Sequence, residues 1–210
     1  MTQFGKPTGK LGKILAKGFA FGHKDFYKNT ASVAELTESD ELLEIGFGSG
    51  MFINKYAKHI KHIAGLDISP DMVELAKEIN SKLLDEKKLE LIEGNILSLP
   101  WSDDSFSVII SIESFFFWEN IENALLEIYR VLKPGGRIVI EMAFNLEDGQ
   151  DHTKDIKKIG FQLYDEKNIR NLLKESGFID ISFNYYKAFW IPIKGYIVTK
   201  GMIFKACKPN

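Results

Sequence analysis

The chain has 210 residues, a formal net charge of −2, 45% hydrophobic and 27% charged residues, and one cysteine. That length suits one domain with a substantial core, and the mildly acidic balance excludes an extended nucleic-acid surface, which needs a clear basic excess. Cys207 has no internal disulfide partner, no apolar run reaches the ~20 residues of a membrane span, and the N-terminus lacks a secretory h-region, so the expected setting is the cytoplasm.

In chain order, Lys6, Lys10, Lys13, Lys17, Lys24 and Lys28 face a single acid, Asp25, in the first thirty residues. Lys6, Lys10, Lys13 and Lys17 share one face of a helix, with Leu11, Ile14, Leu15, Phe19 and Phe21 opposite. The spacing predicts a helical lid or cap over residues 1–34 and a main domain over 35–210. A basic face of this kind suits transient contact with an anionic membrane surface or plain solvation.

"ELLEIGF" reads as a first strand, and the glycine turn after it opens a helix to about His59. "HIAGLDI" is a second strand. Ser69, Pro70 and Asp71 then start a helix, as a cap, a first-turn proline and an acid at the positive end of the dipole. "LELIEGN" and "FSVIISI" are strands three and four, "NIENALLEIYRVL" is a helix that stops at a "KPGG" turn, and "RIVIEMAF" is strand five. Residues 145–160 form a loop or short helix over the site. "DEKNIRNLLKESGF" is a helix closed by Gly177. "IDISFNYYK" and "YIVTKGMIFKACK" follow as strands with no helix between them. The alternation predicts an α/β, Rossmann-like three-layer sandwich, a mainly parallel seven-stranded sheet with an antiparallel C-terminal strand at its far end.

Gly46, Gly48 and Gly50 lie where α/β folds bind ligands, and glycine lets a ligand approach the backbone. Met51 breaks the dinucleotide pattern G-x-G-x-x-G, and the Gly-Lys-Ser/Thr of a P-loop is absent. Asp67 closes the second strand, where a carboxylate accepts both hydroxyls of a ribose. Asn95, at the end of the third, suits an adenine edge, and Ile96 its face.

"LLEIGFGSG", "GLDISPDMVELAK", "GNILSLPWSDDSFSVIIS" and "VLKPGGRIVI", in this order, resemble the motifs of class I S-adenosylmethionine-dependent methyltransferases, over about Glu41 to Phe144. Their detail is similar to the small-molecule branch that includes ubiquinone/menaquinone-type methyltransferases. Asn95 stands where the family often has aspartate, and Phe106-Ser107 where it often has "FD". The resemblance implies S-adenosyl-L-methionine as cofactor, with Gly46, Gly48 and Gly50 beneath its methionine part and Glu44 orienting the turn and the amino group. It further implies Asp67 on the ribose, Ile68 packed on adenine, Asn95 and Ile96 at the adenine edge, and Ser111 near the amino-acid end.

Methyl transfer from a sulfonium is an in-line displacement that needs positioning and exclusion of water rather than a metal, and the histidines lack metal-ligand spacing. Cys207 reads as a small buried apolar residue. After the fourth strand, Phe115, Phe116, Phe117 and Trp118 would wall an apolar or planar acceptor, or else pack the next helix. Glu113 is the carboxylate placed to deprotonate or orient that acceptor, against a solvent-exposed reading. His23 and Tyr27, one turn apart, reach the pocket if the N-terminal segment is a lid. The function expected is methylation of a small molecule. The alternatives are a scaffold or sensor that binds the cofactor without catalysis, a nucleic-acid methyltransferase, disfavoured by Ile112-Glu113-Ser114-Phe115 in place of Asn/Asp-Pro-Pro-aromatic, and a nicotinamide dehydrogenase, disfavoured by Met51. The sequence leaves the oligomeric state open.

Overall fold

The computed structural model describes residue 9 and residues 23–160, 162–190 and 197–210. The lysine face of Lys6, Lys10, Lys13 and Lys17 lies outside the described residues. The strands are β1 (Glu41–Ile45), β2 (His62–Asp67), β3 (Leu89–Glu93), β4 (Phe106–Ile112), β5 (Leu132–Met142), β6 (Ile179–Trp190) and β7 (Ile197–Cys207). They form one seven-stranded sheet in the order β3-β2-β1-β4-β5-β7-β6. β1 to β5 pair in parallel, and β7 runs antiparallel to both β5 and β6. As expected, an antiparallel C-terminal strand, β7, lies at the far end of the sheet, where it sits between β5 and the edge strand β6. Its composition explains the position: Met202, Ile203, Phe204 and Ala206 are buried, whereas residues along β6 such as Ser182, Asn184 and Lys187 are exposed and suit an edge.

Helices cover both faces. On one, α1 (Lys24–Ala34), the π-helix Ile53–Ala57 after β1, α2 (Pro70–Ile79) and α3 (Ser81–Asp85) bury Phe26, Ile53, Ala57, Val73 and Leu83 against the sheet. On the other, α4 (Ile121–Val131) and α6 (Glu166–Glu175) bury Leu125, Ile128, Ile169 and Leu173. A short α5 (Thr153–Ile159) lies within the polar 145–160 segment.

Local chemistry fixes the boundaries. α6 is capped by Asp165, whose Oδ1 accepts from Asn168 N at 2.6 Å, and Gly177 takes φ +92° after its last turn, as expected of a C-terminal glycine. Ser69 precedes α2 but makes no side-chain capping bond; its backbone N–H instead donates to Asp67 Oδ1 at 2.9 Å. The "KPGG" segment is no separate turn. It lies inside β5 as a bulge: Phe106 pairs with Leu132 and Val108 with Arg137. Pro134 has no N–H to donate and Gly135 takes φ +71°, so the ladder slips there.

The end of α1 is tied to β5. Arg137 Nε donates to Ala34 O at 2.7 Å, and its guanidinium pairs with Asp40 at 2.9 Å. Burial alone would raise Asp40, but hydrogen bonds from Arg137, Thr37 and Ser107 outweigh it and hold the carboxyl at about 2. Ser107 Oγ donates to Asp40 Oδ1 at 2.7 Å and accepts from Glu41 N at 2.9 Å. Ser107 thereby stitches β1 to β4 at the position where the motif was noted to depart.

Candidate active site

The strand order reverses between β1 and β4, and a sheet of this kind opens a crevice there at the carboxyl ends of its strands. The loop after β1 is shaped by glycine. Gly46, Gly48 and Gly50 take φ of +72°, +52° and +72°. A Cβ at Gly46 would stand 2.5 Å from Ser114, and one at Gly50 would stand 2.7 Å from Asn80 Nδ2 and 2.9 Å from Ala76 Cβ. At Gly48 an added Cβ meets nothing within 4 Å among the described residues. Two glycines are thus required by packing, and the middle one borders open space.

Asp67, buried at the end of β2, accepts from Gly48 N at 2.8 Å and from Ser69 N at 2.9 Å. It therefore locks the glycine loop to the start of α2. Glu44, in β1, is 2% exposed. Its carboxyl is pushed well above the usual range by burial and then by the Asp67 charge, and Oε2 has no hydrogen-bond partner. Such an orphaned acceptor carries a desolvation cost unless a donor arrives. An open backbone cradle between two buried carboxylates fits a ligand with hydroxyl and ammonium donors.

Ser111 is fully buried at the end of β4, and its Oγ lies 2.5 Å from Ser114 Oγ. Ser114 Oγ donates to Ile45 O at 3.2 Å and accepts from Trp118 Nε1 at 3.2 Å. This chain supports Gly46 from below. Across the crevice, Ile68 is half-buried and Asn95 exposed, while Ile96 is 8% exposed and belongs to the core. Asn95 Oδ1 accepts from Leu97 N at 3.0 Å, an Asx-turn that fixes the side chain and leaves the amide NH2 group to face outward.

Beside the glycine loop lies a second acidic group, with Glu113 half-buried and Glu141 buried. Glu113 follows β4 in the left-handed region, at φ +56°, a conformation costly for glutamate and concentrated at functional sites. Its carboxylate accepts from Ala143 N. Burial pushes it up to about 7, against that hydrogen bond. Glu141, in β5 and 0% exposed, accepts from the Tyr186 hydroxyl. Burial and then the Glu113 charge push its carboxyl well up. Tyr27, on α1, is 8% exposed. It is raised first by burial and then by Glu44, Glu141 and Glu113. His23 is held down at about 4 by burial, and its ring lies 5.0 Å from Phe26 and 6.1 Å from Tyr27. The fold thus brings Tyr27, Glu44 and Glu113 to one place from three segments far apart in sequence.

The aromatic run divides. Phe115 is 1% exposed and packs on Trp118, Tyr164 and Phe204 at 5.0 to 5.3 Å, so its ring belongs to the core and not to a wall. Trp118 is buried with it. Phe116 faces Phe117 at 4.7 Å and Phe144 at 6.4 Å. Glu141, Ser114, Asn80 and Tyr186 were not singled out in the sequence. For Glu141 a signal existed, a charge inside the apolar strand "RIVIEMAF". Tyr186 and Asn80 carry no local signal, because their partners are 45 and 30 residues away.

Fold and loop chemistry together define a Rossmann-like methyltransferase. A family model described as a methyltransferase domain matches residues 43–140. The chain is 30% identical over 152 residues to an uncharacterized methyltransferase, YdaC, of Bacillus subtilis, covering 71% of this chain and 77% of that protein. It is 33% identical over 105 residues to the demethylmenaquinone methyltransferase of Tropheryma whipplei, covering 50% of this chain but only 42% of that protein. The fold resembles that of the Haemonchus contortus phosphoethanolamine N-methyltransferase 2 in complex with S-adenosyl-L-methionine, with a TM-score of 0.78 at 18% identity over 96% of this chain and 58% of that one. The chain belongs to the methyltransferase family, as an S-adenosylmethionine-dependent enzyme. No described helix is long and apolar enough to cross a membrane.

Proposed function

We propose that the protein methylates a small-molecule acceptor. The observation that carries the cofactor half of this reading is the Asp67 clamp. One carboxylate holds Gly48 N and Ser69 N, beside a loop position where a Cβ would meet nothing within 4 Å among the described residues. Asp67 would take the ribose hydroxyls, Glu44 the amino group through its unpaired oxygen, and the Asn95 amide the adenine edge between Ile68 and Ile96. Gly46, Gly48 and Gly50 would lie under the methionine part, with Ser111 supporting its amino-acid end. The bound group supplies an electrophilic methyl on a sulfonium.

The acceptor half rests on enclosure. Tyr27, Glu113 and Glu141 gather near Glu44, and beyond β4 Phe116 packs on Phe117 and Phe144, a mix of aromatic and acidic side chains. A buried site of that kind suits a compact apolar molecule with a polar handle and repels a polyphosphate chain. Phe116 would bound the acceptor and Glu113 would orient it or take its proton, while α1, with Tyr27 and His23, closes the site from the side. Trp118 would hold the wall in place through Ser114.

The test incubates the full chain with S-adenosylmethionine labelled on its methyl group, against a metabolite panel, RNA and DNA oligonucleotides, and protein. Label transferred to a member of the small-molecule panel supports the reading. Label on nucleic acid or protein overturns it, and tight S-adenosylhomocysteine binding with no transfer to any arm points to a scaffold.

A further inference from the structure

Glu113 and Glu141 stand outside the cofactor cradle, and the framework does not explain them. A buried carboxylate usually has a cationic partner or a full set of donors. Glu141 is 0% exposed; its Oε1 accepts from the Tyr186 hydroxyl, and the Glu113 backbone N–H also favours the carboxylate, while Oε2 has no hydrogen-bond partner. Glu113 has the Ala143 N–H. Among the described residues, no lysine or arginine pairs with Glu44, Glu113 or Glu141.

The side chains around the pair have one character. β1 contributes Glu44, β5 Glu141, the loop after β4 Glu113, β6 Tyr186, α1 Asp25 and Tyr27, and the residue before α1 His23. The charges that raise Tyr27 come from Glu44, Glu141 and Glu113, and those that raise Tyr186 from Glu141, Glu113 and Asp25. Between these acids stand aromatic rings, with Phe26 and Tyr186 edge to face at 5.9 Å. Negative charge among aromatic rings is the environment that recognises an organic cation; an alcohol or phenol can donate to one carboxylate, but only an ammonium also offers the positive charge that a pair of carboxylates among aromatic rings selects.

We propose that the acceptor carries a basic nitrogen, and that Glu113 and the unpartnered Oε2 of Glu141 bind it as an ammonium, against the rings of Tyr27 and Tyr186. This rests on the small-molecule reading above. On entry the ammonium displaces protons held by the two carboxyls, which pass to the buffer. To become a nucleophile, the nitrogen then gives one N–H proton to a carboxylate of the pair, and the electrons of that bond stay on nitrogen as its lone pair. Glu141, deeper than Glu113 and fixed by Tyr186, selects for the cation.

The experiment is calorimetric and uses the full chain saturated with S-adenosylhomocysteine. It compares 2-phenylethylamine, tryptamine and benzylamine with their hydroxyl counterparts, in two buffers of different ionisation enthalpy. Amines are expected to bind about tenfold or more tighter than the alcohols, as a charge-assisted hydrogen bond requires, with protons released to the buffer. Glu141→Gln should lose that preference and the proton release, and Tyr186→Phe should weaken both, while each binds S-adenosylhomocysteine as the parent does; that retained affinity reports the fold. Equal binding of amines and alcohols, no amine binding by a protein that binds S-adenosylhomocysteine, or full amine affinity in both variants overturns the proposal and leaves the methyltransferase reading intact. Failure of the parent chain to bind S-adenosylhomocysteine at all counts instead against that reading.

Discussion

At the scale of single residues, the glycine loop allows packing to be separated from ligand binding. Gly46→Ala places a Cβ 2.5 Å from Ser114 at φ +72°, so both the clash and the dihedral are penalised. It should destabilise the protein by about 2–4 kcal/mol, read as a lower thermal midpoint. Gly48→Ala has the strained dihedral but no neighbour within 4 Å among the described residues. It should cost only about 1–2 kcal/mol and mainly weaken S-adenosylhomocysteine binding, because the new methyl stands where the ligand approaches. If both variants lose stability equally and Gly48→Ala keeps its affinity, the cradle is not where the geometry places it. Asp67→Ala removes the acceptor that joins Gly48 N to Ser69 N. By calorimetry, affinity for S-adenosylhomocysteine should fall by about 2 kcal/mol, near thirtyfold, the worth of hydrogen bonds to a charged group. Unchanged affinity rejects the ribose role.

At the scale of elements, what was legible followed from periodicity and from glycine. β1, β2 and the start of α2 were readable because short apolar runs, almost continuously buried in the sheet, and Pro70 are local signals, and so was Gly177 after α6. The bulge in β5 was not, because "KPGG" reads as a turn until the pairing with β4 shows that the strand begins at Leu132. That β7 pairs with β5 as well as with β6 rests on partners distant in the chain, such as Arg137 with Cys207, which only the sheet order reveals. The aromatic run shows the same limit. Phe115, Phe116 and Trp118 are indistinguishable in sequence, yet Phe115 is packed on Phe204 of β7 and Tyr164, contacts 89 and 49 residues away. Phe115→Ala should therefore cost about 3–5 kcal/mol of stability through the cavity it leaves. Phe116→Ala, if that ring bounds the acceptor, should lower turnover more than it lowers cofactor affinity. Equal losses in both would assign Phe116 to packing.

At the scale of the whole molecule, buried acids give the protein an unusual pH response. Glu44, Glu113 and Glu141 came together from β1, the loop after β4 and β5, a convergence no local pattern encodes. Glu113 has a folded pKa of about 7, raised from 4.5, and Glu141 is raised too. The native state therefore holds more protons than the unfolded chain above pH 4.5. Stability from Glu113 is fully present below that value and is lost as pH rises through about 7, and Glu141 acts in the same direction. His23 acts in the opposite sense. Its pKa is lowered from 6.5 to about 4, so its contribution is present above 6.5 and lost as pH falls toward 4. The two windows overlap, and the parent protein's profile alone does not separate them. Glu113→Gln does, because it removes one titration and keeps the shape. Its stability relative to the parent, from urea unfolding, should rise between pH 5 and pH 8 by an amount on the order of 1–3 kcal/mol, while the acid-side loss due to His23 stays. A difference that does not change with pH would mean that Glu113 is ionised in the folded protein, held by charge from a direction other than the carboxylates beside it.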